Sequence, residues 1–195
     1  NLSAPWNFVN PRFGLIYDLN DKISVFANYG KSQKEPADNQ IIEADDVWSE
    51  PIIASAEIVD NTEIGFSYIS GAINSNLNIY RMNYKNEQLK NIDIEQEGEY
   101  DYYSANATIH QGIEFDVSFK FNPKLNVSLN GAINHNSFES GDSKGNFLPN
   151  TPLTLGNSVI TYQFSKGIQT FNKLRHVGKQ FVDDNNTPEG VIDPF

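Results

Sequence analysis

Three histidines and one pair of carboxylates are the side chains that first raise the question of catalysis or metal binding. His110, His135 and His176 stand far apart, without the spacing of zinc ligands. Glu114 and Asp116 are two residues apart, which in a strand places both carboxylates on one face. No nucleophile elbow, phosphate-binding loop or dinucleotide fingerprint accompanies them, and the sequence has no cysteine. We therefore expect no enzyme activity and no metal site, and interpret the histidines as strand or rim residues.

Aromatic residues inside acidic stretches are stronger candidates for binding. Trp48 lies in one such stretch, and Tyr100, Tyr102 and Tyr103 lie in another. Rings of this kind can pack on a flat ligand such as haem, a catecholate or a sugar. Together with His135, they are the predicted ligand-binding set. The alternative, that the rings only order their loops, remains open.

The acidic residues of the chain are concentrated in four stretches: 31–60, 86–103, 137–150 and 182–195. These carry 20 acids and 4 bases, a charge of −16, whereas the remainder carries 5 acids and 10 bases, a charge of +5. A chain of net charge −11 is a poor nucleic-acid binder, so none is expected as a partner. In the last stretch, Asp183–Thr187 resembles a calcium loop but lacks the glycine that an EF-hand needs. A looser calcium site is the one cofactor considered.

Alternation of apolar and polar residues predicts β-strands, most clearly over residues 112–121. One face of this segment carries five apolar residues: Ile113, Phe115, Val117, Phe119 and Phe121. Polar or small residues occupy the other face, which is a period of two. Its ten residues match the roughly 9–11 residues that a strand needs to cross a bilayer.

The same alternation recurs in eight predicted strands, paired as four hairpins. Short turns between them alternate with the long acidic stretches, as in bacterial outer-membrane barrels with short periplasmic turns and long external loops. Strands entering the short turns end in aromatics, predicted to form a girdle at the periplasmic interface: Tyr17, Tyr68, Phe119, Phe121, Tyr162 and Phe164. The sequence thus predicts an all-β fold, an antiparallel transmembrane β-barrel segment.

Two local patterns add to this prediction. In the fourth strand the apolar positions shift to Tyr80, Met82 and Tyr84, so we expect a β-bulge there. The eighth strand, expected over Ile168–Phe181, is followed by an acidic loop with Pro194 rather than another amphipathic strand. An open sheet of eight strands would leave two unpaired edges in lipid. We therefore expect residues 1–195 to be a partial barrel, an internal segment of a larger one.

An ordered set of short motifs resembles the TonB-dependent receptors, in the style of Bacteroidetes-like bacteria. Each motif is weak alone, but together they cover almost the whole chain in family order. They are Pro11–Tyr17, Ile23–Pro36, Asn83–Asn86, Gln111–Phe115, Asn150–Pro152, His176–Asp183 and Ile192–Phe195. His176 stands where the family more often has Tyr or Phe.

The resemblance implies an outer-membrane location and a barrel of about 22 strands filled by an N-terminal plug domain. Plug and last strands are expected to be absent from residues 1–195. It also implies active uptake of a scarce ligand, with a ferric siderophore or similar iron complex as first choice. The implied partners are that ligand, the TonB complex acting through the plug, and outer-membrane lipid with lipopolysaccharide.

Three alternatives remain open from the sequence. The ligand could be a glycan or cobalamin, and the barrel could be a passive porin or a surface adhesin. A soluble all-β binding module would also show alternating strands. An upstream plug distinguishes receptor from porin, and folding without detergent would identify the soluble module.

Overall fold

The structure is a computed structural model that describes residues 6–36, 55–92, 100–165 and 167–195, without the side chains of 90–92 and 100–102. Eight strands form one sheet, in which each strand pairs antiparallel with the next along the chain. They are β1 (Arg12–Asn20), β2 (Ile23–Lys34), β3 (Glu57–Ile69), β4 (Ile73–Ile92), β5 (Tyr100–Asn122), β6 (Leu125–Phe138), β7 (Thr154–Ser165) and β8 (Ile168–Val177). The predicted all-β, antiparallel arrangement of four hairpins is confirmed.

A short annex follows the sheet. Strand β9 (Gln180–Phe181) pairs with β10 (Val191–Ile192), and a 3-10 helix (Pro188–Gly190) lies between them. The eighth strand therefore ends at Val177, earlier than expected, although Gly178 and Lys179 keep backbone hydrogen bonds to Thr154 and Leu153. In the parts of the chain that the structure describes, no helix has the length and apolar character to cross a membrane.

The two faces of the sheet differ sharply. We call outer face the one whose rows of paired residues are apolar, as in the row Ala27, Ile64, Ile79, Ile113 and Ile133. Its large side chains are exposed, with Ile64 at 60% and Ile133 at 61%. The inner face carries polar rows, such as Asn76, Asp116 and Asn130. An exposed apolar face on so large a sheet needs lipid rather than water as its surroundings.

The size of the apolar band fits a bilayer. The nine residues from Ile113 to Phe121 rise about 26 Å along β5 at about 3.3 Å per residue. At a tilt of about 40° this is about 20 Å along the membrane normal, close to the band of about 25 Å of outer-membrane barrels. Exposed aromatics lie at the turn end of the sheet, where Tyr162 and Phe164 pack edge to face with centroids 4.7 Å apart.

Several strands continue well beyond this band at the end of the long connections, which we call the loop end. Strand β4 runs to Ile92 and β5 starts at Tyr100, so a stretch predicted as an acidic loop is largely a paired hairpin. Strands β2 and β3 extend likewise to Lys34 and from Glu57. Strands that pair beyond the apolar band do not alternate between apolar and polar residues. The sequence pattern therefore did not predict these extensions.

Candidate ligand-binding mouth

The shift of apolar residues to Tyr80, Met82 and Tyr84 has a cause other than the expected bulge. The β3–β4 and β4–β5 registers run without a shift from Asn74 to Lys85, so the predicted bulge is wrong. With an unbroken period of two, these three side chains point to the inner face, above the apolar band. They place aromatic and thioether groups on the inner wall near the loop end.

Tyr80 is fixed on this wall by its neighbours in the two following strands. Its hydroxyl donates to Asn134 Oδ1 over 2.9 Å, across the row that joins Tyr80, Gly112 and Asn134. Gly112 makes room for the ring, because a Cβ there would lie 2.9 Å from the Tyr80 hydroxyl and collide with the carbonyl oxygen of Ile133.

A buried polar cluster lies just above, around Glu87. Its carboxylate accepts from Thr108 Oγ1 and lies 2.9 Å from His110 Nε2, while the His110 ring packs on Tyr84 with centroids 5.0 Å apart. Glu87 and Thr108 are 9% and 1% exposed. Asn86, in the left-handed region with φ 54°, immediately precedes Glu87 at this point of β4. The cluster thus joins β4 to β5 at the loop end.

Tyr103 connects the β4–β5 hairpin to the annex. Its hydroxyl donates to Asp184 Oδ2 over 2.5 Å, and its ring packs on a small core of Ala105, Phe138 and Leu148. Burial, and then the hydrogen bond to Asp184, raise the pKa of Tyr103 above its usual 10.0. The described parts of the β4–β5 hairpin, the β6–β7 connection and the annex therefore pack together at the loop end.

A second set of contacts joins the β6–β7 connection to the annex. The rings of Phe147 and Phe181 stack 5.7 Å apart, with Lys179 Nζ 4.6 Å above Phe181. Asn186 accepts from the backbone N–H of Phe147 over 2.6 Å and donates back to its carbonyl over 2.9 Å. These two hydrogen bonds fix the β6–β7 connection against the annex.

The predicted binding residues fall into different settings. Tyr103 packs at the loop end, whereas Tyr100 and Tyr102 begin β5 with side chains outside the described set, and Trp48 lies outside the described residues. His135 is on the outer face by register, edge-on to Phe147 with centroids 5.1 Å apart. The structure therefore describes side-chain contacts for Tyr103 and His135 within this set, and its assignment to ligand binding stays a prediction.

The inner-wall group was missed by sequence reasoning, although its signal was present. The shift of apolar positions to Tyr80, Met82 and Tyr84 indicates that these side chains lie on the inner rather than the outer face. His110 was interpreted as an ordinary strand histidine. Its partner Glu87 lies 23 positions away and is brought near only by the β4–β5 register.

The acidic run Asp183–Thr187 is organised by its own hydrogen bonds. The Asp183 carboxylate accepts from the backbone N–H of Asn185 and of Thr187 and from the Thr187 hydroxyl, at 2.9 to 3.2 Å. Burial acts to raise the pKa of Asp183, but these bonds outweigh it and lower the pKa below 3.8. Across the described ranges, no three His, Cys, Asp or Glu residues are grouped as metal ligands.

Comparison with known proteins decides the family. A family profile described as "TonB dependent receptor-like, beta-barrel" matches residues 1–195. The chain belongs to the TonB-dependent receptor family. Such receptors are transporters of the bacterial outer membrane, not enzymes, so the expected location and the expected lack of catalysis are confirmed. The outer face is then the lipid face and the inner face the lumen wall.

Solved structures of TonB-dependent receptors share this fold at low sequence identity. The ferric yersiniabactin uptake receptor of Yersinia pestis has a TM-score of 0.75 at 17% identity over 94% of this chain and 28% of its own. The ferric enterobactin receptor of Pseudomonas aeruginosa has 0.73 at 17% over 95% and 31%. A siderophore receptor of Acinetobacter baumannii has 0.72 at 15% over 95% and 33%. The chain thus spans about a third or less of these receptors.

Proposed function

We propose that the receptor containing this chain actively imports a ferric siderophore or similar iron complex. The observation that carries the proposal is the aromatic and thioether row Tyr80, Met82 and Tyr84 on the lumen wall near the mouth, with His110 beside Tyr84. Rings and a polarizable sulfur suit the flat, partly apolar surface of an iron chelate. Structural relatives described as siderophore receptors support the same ligand class.

Charge narrows the class of complex. The four acidic stretches carry −16, and their described parts lie at the loop end. A mouth of that sign repels anions and concentrates cations. We therefore propose a ferric complex that is neutral or cationic rather than an anionic one.

The proposed partners follow from the family. The TonB complex would supply energy through a plug domain outside residues 1–195, and outer-membrane lipid with lipopolysaccharide would surround the lipid face. Ligand contacts are proposed for the inner-wall row and for Trp48, Tyr100, Tyr102 and Tyr103. His135 lies on the lipid face, so we propose that it acts indirectly, by packing edge-on against Phe147 of the β6–β7 connection.

Uptake of radiolabelled iron by a strain lacking the full-length receptor tests the ligand class. We expect a cationic ferric trihydroxamate to enter only complemented cells, and an anionic ferric tricatecholate to enter poorly. A protonophore should abolish uptake, because active import needs the proton-motive force. Uptake that persists with the protonophore would support the passive porin instead, and loss of cobalamin or glycan uptake alone would replace iron as the ligand.

Binding by the purified receptor tests the residues. Removal of an aromatic contact costs about 1 kcal/mol, so Tyr84→Ala should weaken binding of the ferric trihydroxamate about fivefold. Changing Tyr100, Tyr102 and Tyr103 together to Ala should weaken it further. Tyr17→Ala, at the opposite end of the sheet on the lipid face, is the control. Unchanged affinity in the Tyr84 variant would exclude this part of the inner wall as a ligand contact. Unchanged affinity in the triple variant would exclude Tyr100, Tyr102 and Tyr103 as ligand contacts.

A further inference from the structure

A polar row crosses the lipid face where its apolar band ends toward the loop end. Thr62, Arg81, Gln111 and His135 are direct partners across β3 to β6, one row above Ile64, Ile79, Ile113 and Ile133. Since the loop end of the barrel is external, this row lies at the level of the outer-leaflet headgroups. Arg81 is an exposed cation at that level.

Arg81 is distinctive among the three arginines of the chain. Arg175 is on the inner face, because it pairs with Asn157, whose amide bonds Asn130 in the polar wall. Arg12 is also on the inner face, paired with Gly30 beyond the row of Leu15 and Ala27. Arg81 alone of the three therefore faces lipid.

The guanidinium of Arg81 donates hydrogen bonds to side-chain amides rather than to a carboxylate. Its Nε donates to Asn83 Oδ1 over 3.2 Å, and Nη1 reaches Gln111 Oε1 over a long 3.5 Å. Within the described ranges, no carboxylate lies within salt-bridge distance of Arg81, and the one close contact between a basic and an acidic side chain joins His110 to Glu87. Arg81 thus holds its charge without a carboxylate, and a planar guanidinium is well suited to binding phosphate in two contacts.

An apolar groove runs directly beneath this charge. It measures about 610 Å³ and is lined by Ile64, Ile79, Ile113 and Ile133 below and by Arg81 and Gln111 above. The backbone at Gly112 forms part of its floor. A cation above an apolar groove is complementary to a phosphate carried on an acyl chain.

We propose that this groove is a lipopolysaccharide-binding site, in which Arg81 binds a phosphate of lipid A and an acyl chain lies along the isoleucines. The location favours lipopolysaccharide over a glycerophospholipid, because the site lies at the external edge of the band, in the leaflet that lipopolysaccharide occupies.

The experiment measures lipid retained by the full-length receptor purified in mild detergent. Hydroxylated acyl chains report lipid A, and phospholipid is quantified in the same samples. We expect Arg81→Gln to lower retained lipopolysaccharide about fivefold, since a single basic residue near a lipid surface contributes about that factor. Arg81→Lys should retain more than Arg81→Gln, and Arg175→Gln is the matched control on the inner face.

Three results would overturn the proposal. They are full retention of lipopolysaccharide by Arg81→Gln, an equal loss in Arg175→Gln, and a loss confined to phospholipid. The melting temperature of each variant, measured by heat-modified gel mobility, checks that the barrel is folded. Because Arg81 is exposed, this temperature should not change.

Discussion

At the scale of single residues, the Tyr103–Asp184 hydrogen bond has a defined pH dependence. Burial and Asp184 raise the pKa of Tyr103 above 10.0, so the neutral phenol is the form that the fold favours. Its stabilisation is complete below the unfolded pKa of about 10 and is lost as pH rises through the higher folded pKa. The difference titration of phenolate absorbance between wild type and Tyr103→Phe should therefore show a group that ionises above 10. Asp184→Asn should bring that titration closer to 10.

Tyr103 should also stabilise the annex at neutral pH. A hydrogen bond to a charged acceptor contributes about 1.5 kcal/mol, so Tyr103→Phe should raise hydrogen exchange in residues 182–190 about tenfold. Tyr17→Phe, exposed at the turn end, is the control and should leave this segment unchanged. Equal protection in Tyr103→Phe would mean that packing on Phe138 and Leu148, rather than the hydrogen bond, fixes the annex.

Position 112 of β5 requires glycine, because there is no space for a side chain. A Cβ there would collide with the Ile133 carbonyl and crowd the Tyr80 hydroxyl, so Gly112→Ala should cost about 1–3 kcal/mol and lower the melting temperature. Gly71, in a short turn, has open space around an added Cβ and no positive φ. Gly71→Ala is therefore the matched control, and equal melting temperatures for the two variants would contradict this account.

At the scale of elements, the membrane part of each strand was predictable and the external part was not. Inside the band, every second residue of a strand faces lipid and is apolar. The alternation from Ile113 to Phe121 therefore predicted β5 from the sequence. Outside it, Glu87 to Ile92 is held by pairing with β5 and by the Glu87–His110 contact, neither of which leaves a periodic pattern. The bulge predicted at Tyr80 to Tyr84 was wrong for the same reason. The apolar residues there change from the outer to the inner face because the strand leaves the band, and the backbone stays regular.

The faces make opposite demands on charge. Phe115→Arg would place a cation in the middle of the lipid band, which costs about 2–4 kcal/mol. Asn76→Arg, on the inner face and directly opposite Asp116, should be tolerated. Folded receptor in outer-membrane fractions, measured by heat-modified mobility, should fall in the first variant and stay near wild type in the second. Similar yields for both would mean that the faces have been assigned wrongly.

At the scale of the molecule, the eight-stranded sheet has two edges without a paired strand among the described residues, β1 and β8. Such edges with an exposed apolar face need neighbouring strands and lipid. We therefore expect residues 1–195 expressed alone to aggregate in water. Size-exclusion chromatography with light scattering checks this, and a folded monomer in the absence of detergent would contradict it.

The hydrogen-bonded pairing of β4 with β5 continues beyond the bilayer, so it also determines which surface an antibody can bind on a living cell. From Arg81 to Ile92 the strand rises about 36 Å, so this part of the hairpin stands clear of the acyl chains. Any epitope there combines side chains that alternate between two antiparallel strands. A peptide copied from one strand lacks that partner and is not folded by itself. Sera raised against linear peptides would thus detect the denatured receptor and miss its native surface.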